Sequence, residues 1–501
     1  MTQKAMASNI KSLLNRQDQR VFVLAVFGFL CLSLLAIWYP RFPAMQDYPQ
    51  HLFMAYVLSD PNSSLLNWAE YYMSEYLFGP YSLFFLIVGP LAKVIPIESA
   101  GKVFISLTLC LVAALAFAWN FSRDKEFPAW SLLMLFPLFF TQVYYMGFTN
   151  FLISIPILFL LLLLHERAVT APVNARIAIG YLIFSGLLFL SHPYSVLVYI
   201  VLSCAISGWC RKNKEYFYVS LIGPSVMLII FALWYVSTFN DLSVSQQGDV
   251  FFSWLSPSRL LEYLLLPFVG MRLTGGVNYV VLILWLSVAG LFLKAGYASK
   301  VAVIYRSPAS VMLLSTLLGY FFLPFFLGDY SYFNLRMSLI CYFLMALLLA
   351  NVKFRQRARA ALVSLLSMIM LLVINTQITL SAETEKLLPL LKVMKKNAAV
   401  AAIYSHASSE VIDKVYFDQF HAHDHFYYHV LVGGGVAASL FPSNFNPVNL
   451  KQNISMPDVS KNPARYRYIL VRGKNAGNIS LRKTHQLVVN SPPWTLFERA
   501  R

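Results

Sequence analysis

Four residues stand where an ionisable group needs a reason to be. Asp47 and His51 fall in "AMQDYPQHLFMAYVL", directly after an apolar run, His192 precedes a proline in "SHPYS" between two more, and Arg336 opens another in "GDYSYFNLRM". A carboxylate at the lip of an apolar run, beside a helix start, is oriented and reachable from both water and lipid headgroups. The plainer reading makes Asp47 an N-cap, with Pro49 in the first turn. An imidazole before a proline must find a partner or stay near water, which a structural turn histidine also does. A guanidinium at the start of an apolar helix is costly unless it meets water, an acid or a phosphate, and Asp329 is the nearby acid for simple pairing.

The elements that must position these groups follow from composition. The 501 residues are 58% hydrophobic and only 12% charged, with a mean hydropathy of +0.62, whereas soluble domains carry about 25% charged residues. This is the composition of a polytopic membrane protein. Each crossing takes about 20 apolar residues and must satisfy its own backbone, so the crossings are helical. The net charge of +17 does not point to nucleic acid, because the basic residues lie in short loops between apolar runs. The five cysteines lie in apolar segments, and no disulfide framework is visible.

Lys4, Lys11, Arg16 and Arg20 precede the uncharged run Val21 to Tyr39, which reads as a retained first helix. Further uncharged runs cover 103–122, 128–146, 147–164, 177–191, 193–209, 217–236, 277–293, 309–327, 337–352 and 360–380, which makes eleven crossings. With residues 1–20 cytoplasmic, the N-terminus and inner loops hold 18 Lys and Arg against six in the opposite loops, as the positive-inside rule requires. Residues 81–92 are apolar but short and interrupted by Pro90, so they read as an interfacial or re-entrant piece.

The expected architecture is mostly α: a bundle of about 11 to 13 helices over 21–380, with outer loops 40–101 and 237–276 and a small extracytoplasmic α/β domain over 381–501. Aromatic stretches in both loops suit helices at the membrane interface. The last region has 15 Lys and Arg against eight acids, strand-like "YRYILV" and "HQLVV", and a helical start at "ETEKLLPLLKVMKKNA".

A first outer loop opening on an acid, re-entrant aromatic segments, many helices and an outer C-terminal α/β domain resemble the GT-C superfamily of membrane glycosyltransferases, which use polyprenyl-phosphate sugars. The resemblance spans the chain in architecture. Its sequence signature is short: Asp47 in Asp-x-Pro-x-His, Gly147 to Phe151 in "GFTNF", His192 in "SHPYS" and Arg336. It implies a site at the outer face of a bacterial inner membrane, a polyprenyl-phosphate-linked sugar as donor, membrane lipids as surroundings, and an unnamed glycan, lipid or protein as acceptor. Asp47 would be the general base, with Arg336, His192 and Arg272 at the donor phosphate and His51, Asn150, Asp329 and Tyr330 assisting substrate or metal.

Some members of that superfamily use a divalent cation and others do not. The oligosaccharyltransferase branch has Asp-x-Asp where this chain has Asp-x-Pro, so the acidic pair is missing. The histidines open to such an ion are His51, His192, His425 and His429. The string "HAHDHFYYH" (421–429) departs by one residue from the metallo-β-lactamase pattern, and the expectation for it is a structural or acceptor-contacting role. "VGGGVA" lacks the Lys-Ser or Lys-Thr of a phosphate-binding loop and reads as a turn. Two other classes fit many helices, a transporter or flippase of lipid-linked saccharides and a non-catalytic scaffold. Transporters place polar groups near the midplane of repeated halves, whereas here the ionisable residues collect at one face.

Overall fold

The computed structural model describes residues 17–500, apart from residues 64, 75–77, 122–127, 171–173, 210–213, 241–251, 270–276, 299–307, 328–329, 406, 412–419, 438–447, 452–458, 460, 474–480 and 482–483. Among the described residues, seven helices are long and apolar enough to cross a membrane: Gln17–Trp38, Ile97–Phe121, Thr149–Val169, Ser220–Ser237, Tyr279–Gly296, Phe333–Asn351 and Gln356–Leu391. Four shorter apolar segments lie between them, Trp130–Tyr145, Ala175–Ser191, Pro193–Trp209 and Pro308–Phe322. Each coincides with one of the runs read from the sequence, and the protein is a multi-pass membrane protein.

The crossings differ in how deeply they sit. Thr149–Val169 and Phe333–Asn351 are 78% buried over their apolar windows, whereas Ser220–Ser237 is 17% buried. These two helices carry "GFTNF" and Arg336 at their N-terminal ends, so the site stands on the most deeply buried of the seven long crossings. The Thr149–Thr170 helix packs on Ile97–Phe121, Ala175–Ser191 and Pro193–Trp209, and the Gln17–Trp38 helix on Gln356–Glu385 and Ile97–Phe121. At the end away from the site, Arg359 pairs with Asp18 at 2.6 Å, and Asn120 takes a carbonyl hold on the Ala129 N–H while donating to Gln19.

Two runs differ in form from a plain crossing. Residues 128–146 form a tight helical turn, Trp130–Met134, then short helices Leu135–Phe139 and Gln142–Tyr145. Pro137 has no N–H for the ladder, and the chain leaves helical geometry at Phe140. Residues 81–92 hold only the nine-residue helix Leu83–Leu91, about 14 Å long at 1.5 Å per residue and too short to cross. Pro257–Val269 is likewise a short helix.

The strands are β1 (Tyr72–Ser74), β2 (Phe252–Ser253), β3 (Phe326–Leu327), β4 (Tyr330–Ser331), β5 (Ala399–Tyr404), β6 (Val436–Ala437), β7 (Val448–Leu450), β8 (Tyr468–Arg472), β9 (His485–Ser491) and β10 (Trp494–Arg499). Five of the six strands from β5 onward, all but β7, form a mixed sheet in the order β6-β5-β8-β10-β9. Strand β8 is buried throughout: Tyr468 and Leu470 join the main core, and Ile469 and Val471 a second cluster with Tyr466, Leu481 and Phe497. That alternation is the two-residue period of a strand covered on both faces.

The first long loop and the C-terminal region are bound together. Strand β1 pairs antiparallel with β7, Tyr72 opposite Leu450. The three glycines of "VGGGVA" all have positive φ, and a Cβ on Gly434 would fall on the Asn397 side-chain oxygen. The triplet is therefore a close-approach turn. The expected domain border near 381 lies inside the continuous helix Gln356–Glu385, so the bundle runs into the C-terminal region without a linker.

Candidate functional site

The pentapeptide "GFTNF" (147–151) is the piece around which the site is assembled. Gly147 has φ of +84°, and a Cβ on it would lie 2.9 Å from the Asp47 backbone nitrogen and 3.0 Å from that of Tyr48. The preceding turn takes hold of the same strand of chain: Gln46 N–H donates to Tyr145 O at 2.8 Å and Asp47 N–H to Met146 O at 3.2 Å. Further back, Phe42 N–H donates to Ser381 Oγ and Ala44 N–H to Gln377 Oε1, each at 3.1 Å. Asp47 is thus fixed by its backbone against two helices. Gly147→Ala is expected to push that backbone aside and strain its own, costing about 1–3 kcal/mol. Its measurable sign is a lower melting temperature with loss of any activity that needs Asp47.

The Asp47 side chain is free of the duty a cap would give it. It stands at the N-cap of Tyr48–Ser59, with Pro49 in the first turn, yet makes no capping hydrogen bond. Its Oδ1 is buried without a hydrogen-bond partner. Burial pushes the carboxyl up to about 8, and the Arg336 guanidinium pulls it back only part of the way. One turn on, His51 lies against Phe84 and Phe85, with ring centroids 5.8 and 6.1 Å away, and burial draws its imidazole down to about 4.

Arg336 meets the same pentapeptide from the other side. Its guanidinium lies over the Phe148 ring at 4.4 Å and near that of Phe151 at 5.9 Å, a cation–π seat that keeps a charge among apolar groups. Tyr81, Tyr194, Asp47 and Tyr332 are the titratable groups near it. Tyr81 and Tyr332 both hold left-handed backbone, φ of +70° and +67°, and strain of this kind gathers at functional sites.

Asn150 explains how Tyr81 is held. Its Nδ2 donates to Tyr81 O at 2.7 Å and its Oδ1 accepts from Phe84 N–H at 2.9 Å. Both ends of the amide are used by the first loop, so Asn150 positions the site from behind. His192 follows from its proline: the residue before Pro193 is driven out of helical geometry, and His192 is extended, φ of −159°. Its ring packs edge-on to Tyr81 at 4.6 Å and Phe151 at 5.1 Å. Nδ1 accepts from Tyr194 N–H at 3.2 Å, leaving Nε2 as the donor of the neutral ring.

His423 joins the site from the C-terminal region, its Nε2 3.6 Å from Asp47 Oδ1. The contact is too long for a hydrogen bond. Burial and then the neighbouring His51 pull His423 down to about 4, so the pair is not an ion pair at neutral pH. The residues that seat it are charged. His421 Nδ1 meets Asp424 Oδ2 at 2.7 Å, its Nε2 meets Glu383 Oε2 at 2.8 Å, and Arg472 Nη2 stands 4.0 Å from the same Glu383 oxygen. Sequence reading left His423 within an undivided histidine string. Its alternation with His421 was the available signal, but nothing local tells which imidazole faces Asp47.

The other expected site residues fall variously. Asp47, His192 and Arg336 come together around 147–151, to which Asn150 itself belongs, and His51 stands one turn on from Asp47 against Phe84 and Phe85. Tyr330 lies in β4, paired through its backbone with Leu327, and Arg272 and Asp329 lie outside the described residues. The proposed metal histidines do not share a point: His425 Nδ1 is bonded to Tyr404 Oη and His429 Nδ1 to Gly434 O, each at 2.9 Å, while His192 packs beside Tyr81. Among the described residues no three His, Cys, Asp or Glu side chains are placed to hold a metal ion, so no chemistry is routed through one.

No family model and no curated protein sequence matches the chain. Among solved structures it is similar to the crystal structure of ArnT from Cupriavidus metallidurans bound to undecaprenyl phosphate, with a TM-score of 0.61 over 95% of this chain and 97% of that one, at 8% identity. Likeness at that identity speaks for architecture alone: this chain shares the fold of that ArnT structure over nearly its whole length, the kind of architecture that the resemblance to the GT-C superfamily implied.

Proposed function

We propose that this protein is a glycosyltransferase that moves a sugar from a polyprenyl-phosphate donor to an acceptor hydroxyl at the external face of a bacterial inner membrane. The observation that carries the reading is the convergence of a buried, uncapped carboxyl and a ring-seated guanidinium on one turn, in a fold whose solved relative is bound to undecaprenyl phosphate. The 18 basic residues of the N-terminus and the loops assigned to the cytoplasm, against six in the loops that join crossings on the other side, favour the outward orientation and a periplasmic C-terminal region.

The chemistry is a direct displacement. The acceptor oxygen attacks the anomeric carbon, the bond from that carbon to the phosphate oxygen breaks, and the acceptor proton passes to Asp47. A carboxyl with an affinity near pH 8 takes that proton more strongly than an ordinary one. The departing lipid phosphate keeps the electron pair and needs charge, not a proton, which Arg336 supplies with its forked donors. His192, through Nε2–H, stands on the Arg336 side as a neutral donor.

Transfer of labelled sugar from undecaprenyl-phosphate hexoses and pentoses to cell-envelope extract, by purified protein in detergent, tests the reading. Arg336→Ala is expected to weaken undecaprenyl phosphate binding roughly tenfold to hundredfold, the worth of about 1.5–3 kcal/mol for a charged hydrogen bond. Wild-type protein that binds the lipid phosphate and moves no sugar from any donor would favour a carrier instead.

A further inference from the structure

We propose that His423 and Asp47 together form the seat of the acceptor's attacking hydroxyl, so that the C-terminal region supplies one wall of the catalytic site. The inference rests on the transferase reading and assigns a substrate group to a place within it. Asp47 Oδ1 is buried and has no hydrogen-bond partner, and His423 Nε2 stands 3.6 Å from that same oxygen. The spacing is too long for the two to bond directly, and it suits one oxygen atom placed against both. A hydroxyl there donates its proton to Asp47 Oδ1 and accepts from His423 Nε2–H, which leaves a lone pair for the anomeric carbon.

The surroundings favour this division of labour. Arg336, Phe148, Tyr81 and His192 lie together and make the phosphate side, whereas His51 and His423 neighbour each other beside Asp47. His51 Nδ1 is buried without a hydrogen-bond partner, which leaves a second polar atom for a neighbouring hydroxyl of the same acceptor. A neutral His423 is the right form: an imidazolium beside Asp47 would lower its proton affinity and weaken the base. The segment is held firmly enough for the task, because His421 anchors it to Glu383 and Asp424 two residues earlier.

The test uses full-length protein in detergent, the undecaprenyl-phosphate sugar that wild type turns over, and glycerol as a small hydroxyl probe, with binding of undecaprenyl phosphate measured separately. His423→Ala is expected to lower sugar transfer to glycerol roughly tenfold to hundredfold, with lipid-phosphate affinity within about twofold of wild type. His423→Gln, which keeps an N–H donor, is expected to recover part of the loss, and it decides the matter should the alanine variant fail to fold. Wild-type transfer rates in both variants overturn the seat while leaving the transferase reading intact. Equal loss of lipid-phosphate binding and transfer places His423 on the donor side and also overturns it. Absence of sugar transfer in wild type, with every donor, removes the transferase reading and this inference with it.

Discussion

Asp47→Asn is expected to lower sugar transfer by about 10²–10⁴-fold, the usual worth of a general base, while undecaprenyl phosphate still binds. The amide has the carboxyl's shape and cannot take the acceptor's proton. In the wild type the proposed role of the same residue carries an expected pH signature. The base must be ionised, and burial holds its carboxyl near 8, so the rate rises about tenfold per pH unit below that value and levels above it. An ordinary carboxylate, ionising near about 4, would give a flat profile between pH 6 and 9. Arg336→Gln removes the charge that lowers the Asp47 carboxyl, and the inflection is expected to move to higher pH. A flat wild-type profile, or an active asparagine variant, would take the base role from Asp47.

The same shift has a stability side with a definite sign. A carboxyl whose affinity is raised on folding contributes stability that is whole below its unfolded value of about 4 and is lost as the pH climbs through its folded value. At pH 8 and above the wild type must hold a buried charge in its site, and the asparagine variant need not. The inactive variant is expected to melt at the same or a higher temperature there, which distinguishes loss of chemistry from loss of fold.

His421→Ala has the largest expected effect on stability, about 3–5 kcal/mol, the typical penalty for removing one partner of a buried ionic group. Both His421 nitrogens meet carboxylate oxygens, so both must donate, which makes the ring an imidazolium. The nearby carboxylates raise its affinity for the proton, against the opposing pull of burial. Its contribution is whole below about 6.5 and is lost as pH rises through the raised folded value. The alanine variant leaves Glu383 and Asp424 facing each other with Arg472 as the remaining cation. Thermal melting and limited proteolysis of the C-terminal region measure the loss. A melting temperature within about 2 °C of wild type would mean that the cluster contributes little to folding.

The histidine string shows where sequence reading stops. Its composition invites a metal reading beside the structural or acceptor-contacting role expected of it, and its residues divide by position: His421 in the charged anchor, His423 at Asp47, His425 on Tyr404 and His429 on a glycine carbonyl. Residues two apart along an irregular segment face different neighbours. Those neighbours come from the first loop, the last long helix and the sheet, so spacing alone could not assign them. Asn150 is a similar case. Read from the chain it was a polar group available to substrate, yet both ends of its amide are taken by the backbone of Tyr81 and Phe84.

By itself the sequence determined the apolar runs, the uneven share of basic residues among the loops between them and the placement of Asp47, His192 and Arg336 near helix ends. Those follow from local physics, since an apolar run must satisfy its own backbone in lipid and basic loops sort to one face. It also carried the punctuation, such as the proline that lays His192 out of its helix and the short apolar piece at 81–92, whose helix is Leu83–Leu91. Only the tertiary structure decided that one pentapeptide, 147–151, would touch Asp47, Tyr81, His192 and Arg336 at once, and that His423 would close on Asp47. Within a bilayer every crossing is about equally apolar, so hydrophobicity cannot choose a helix's neighbours; close packing and a few polar contacts do, and these belong to pairs of segments far apart in the chain.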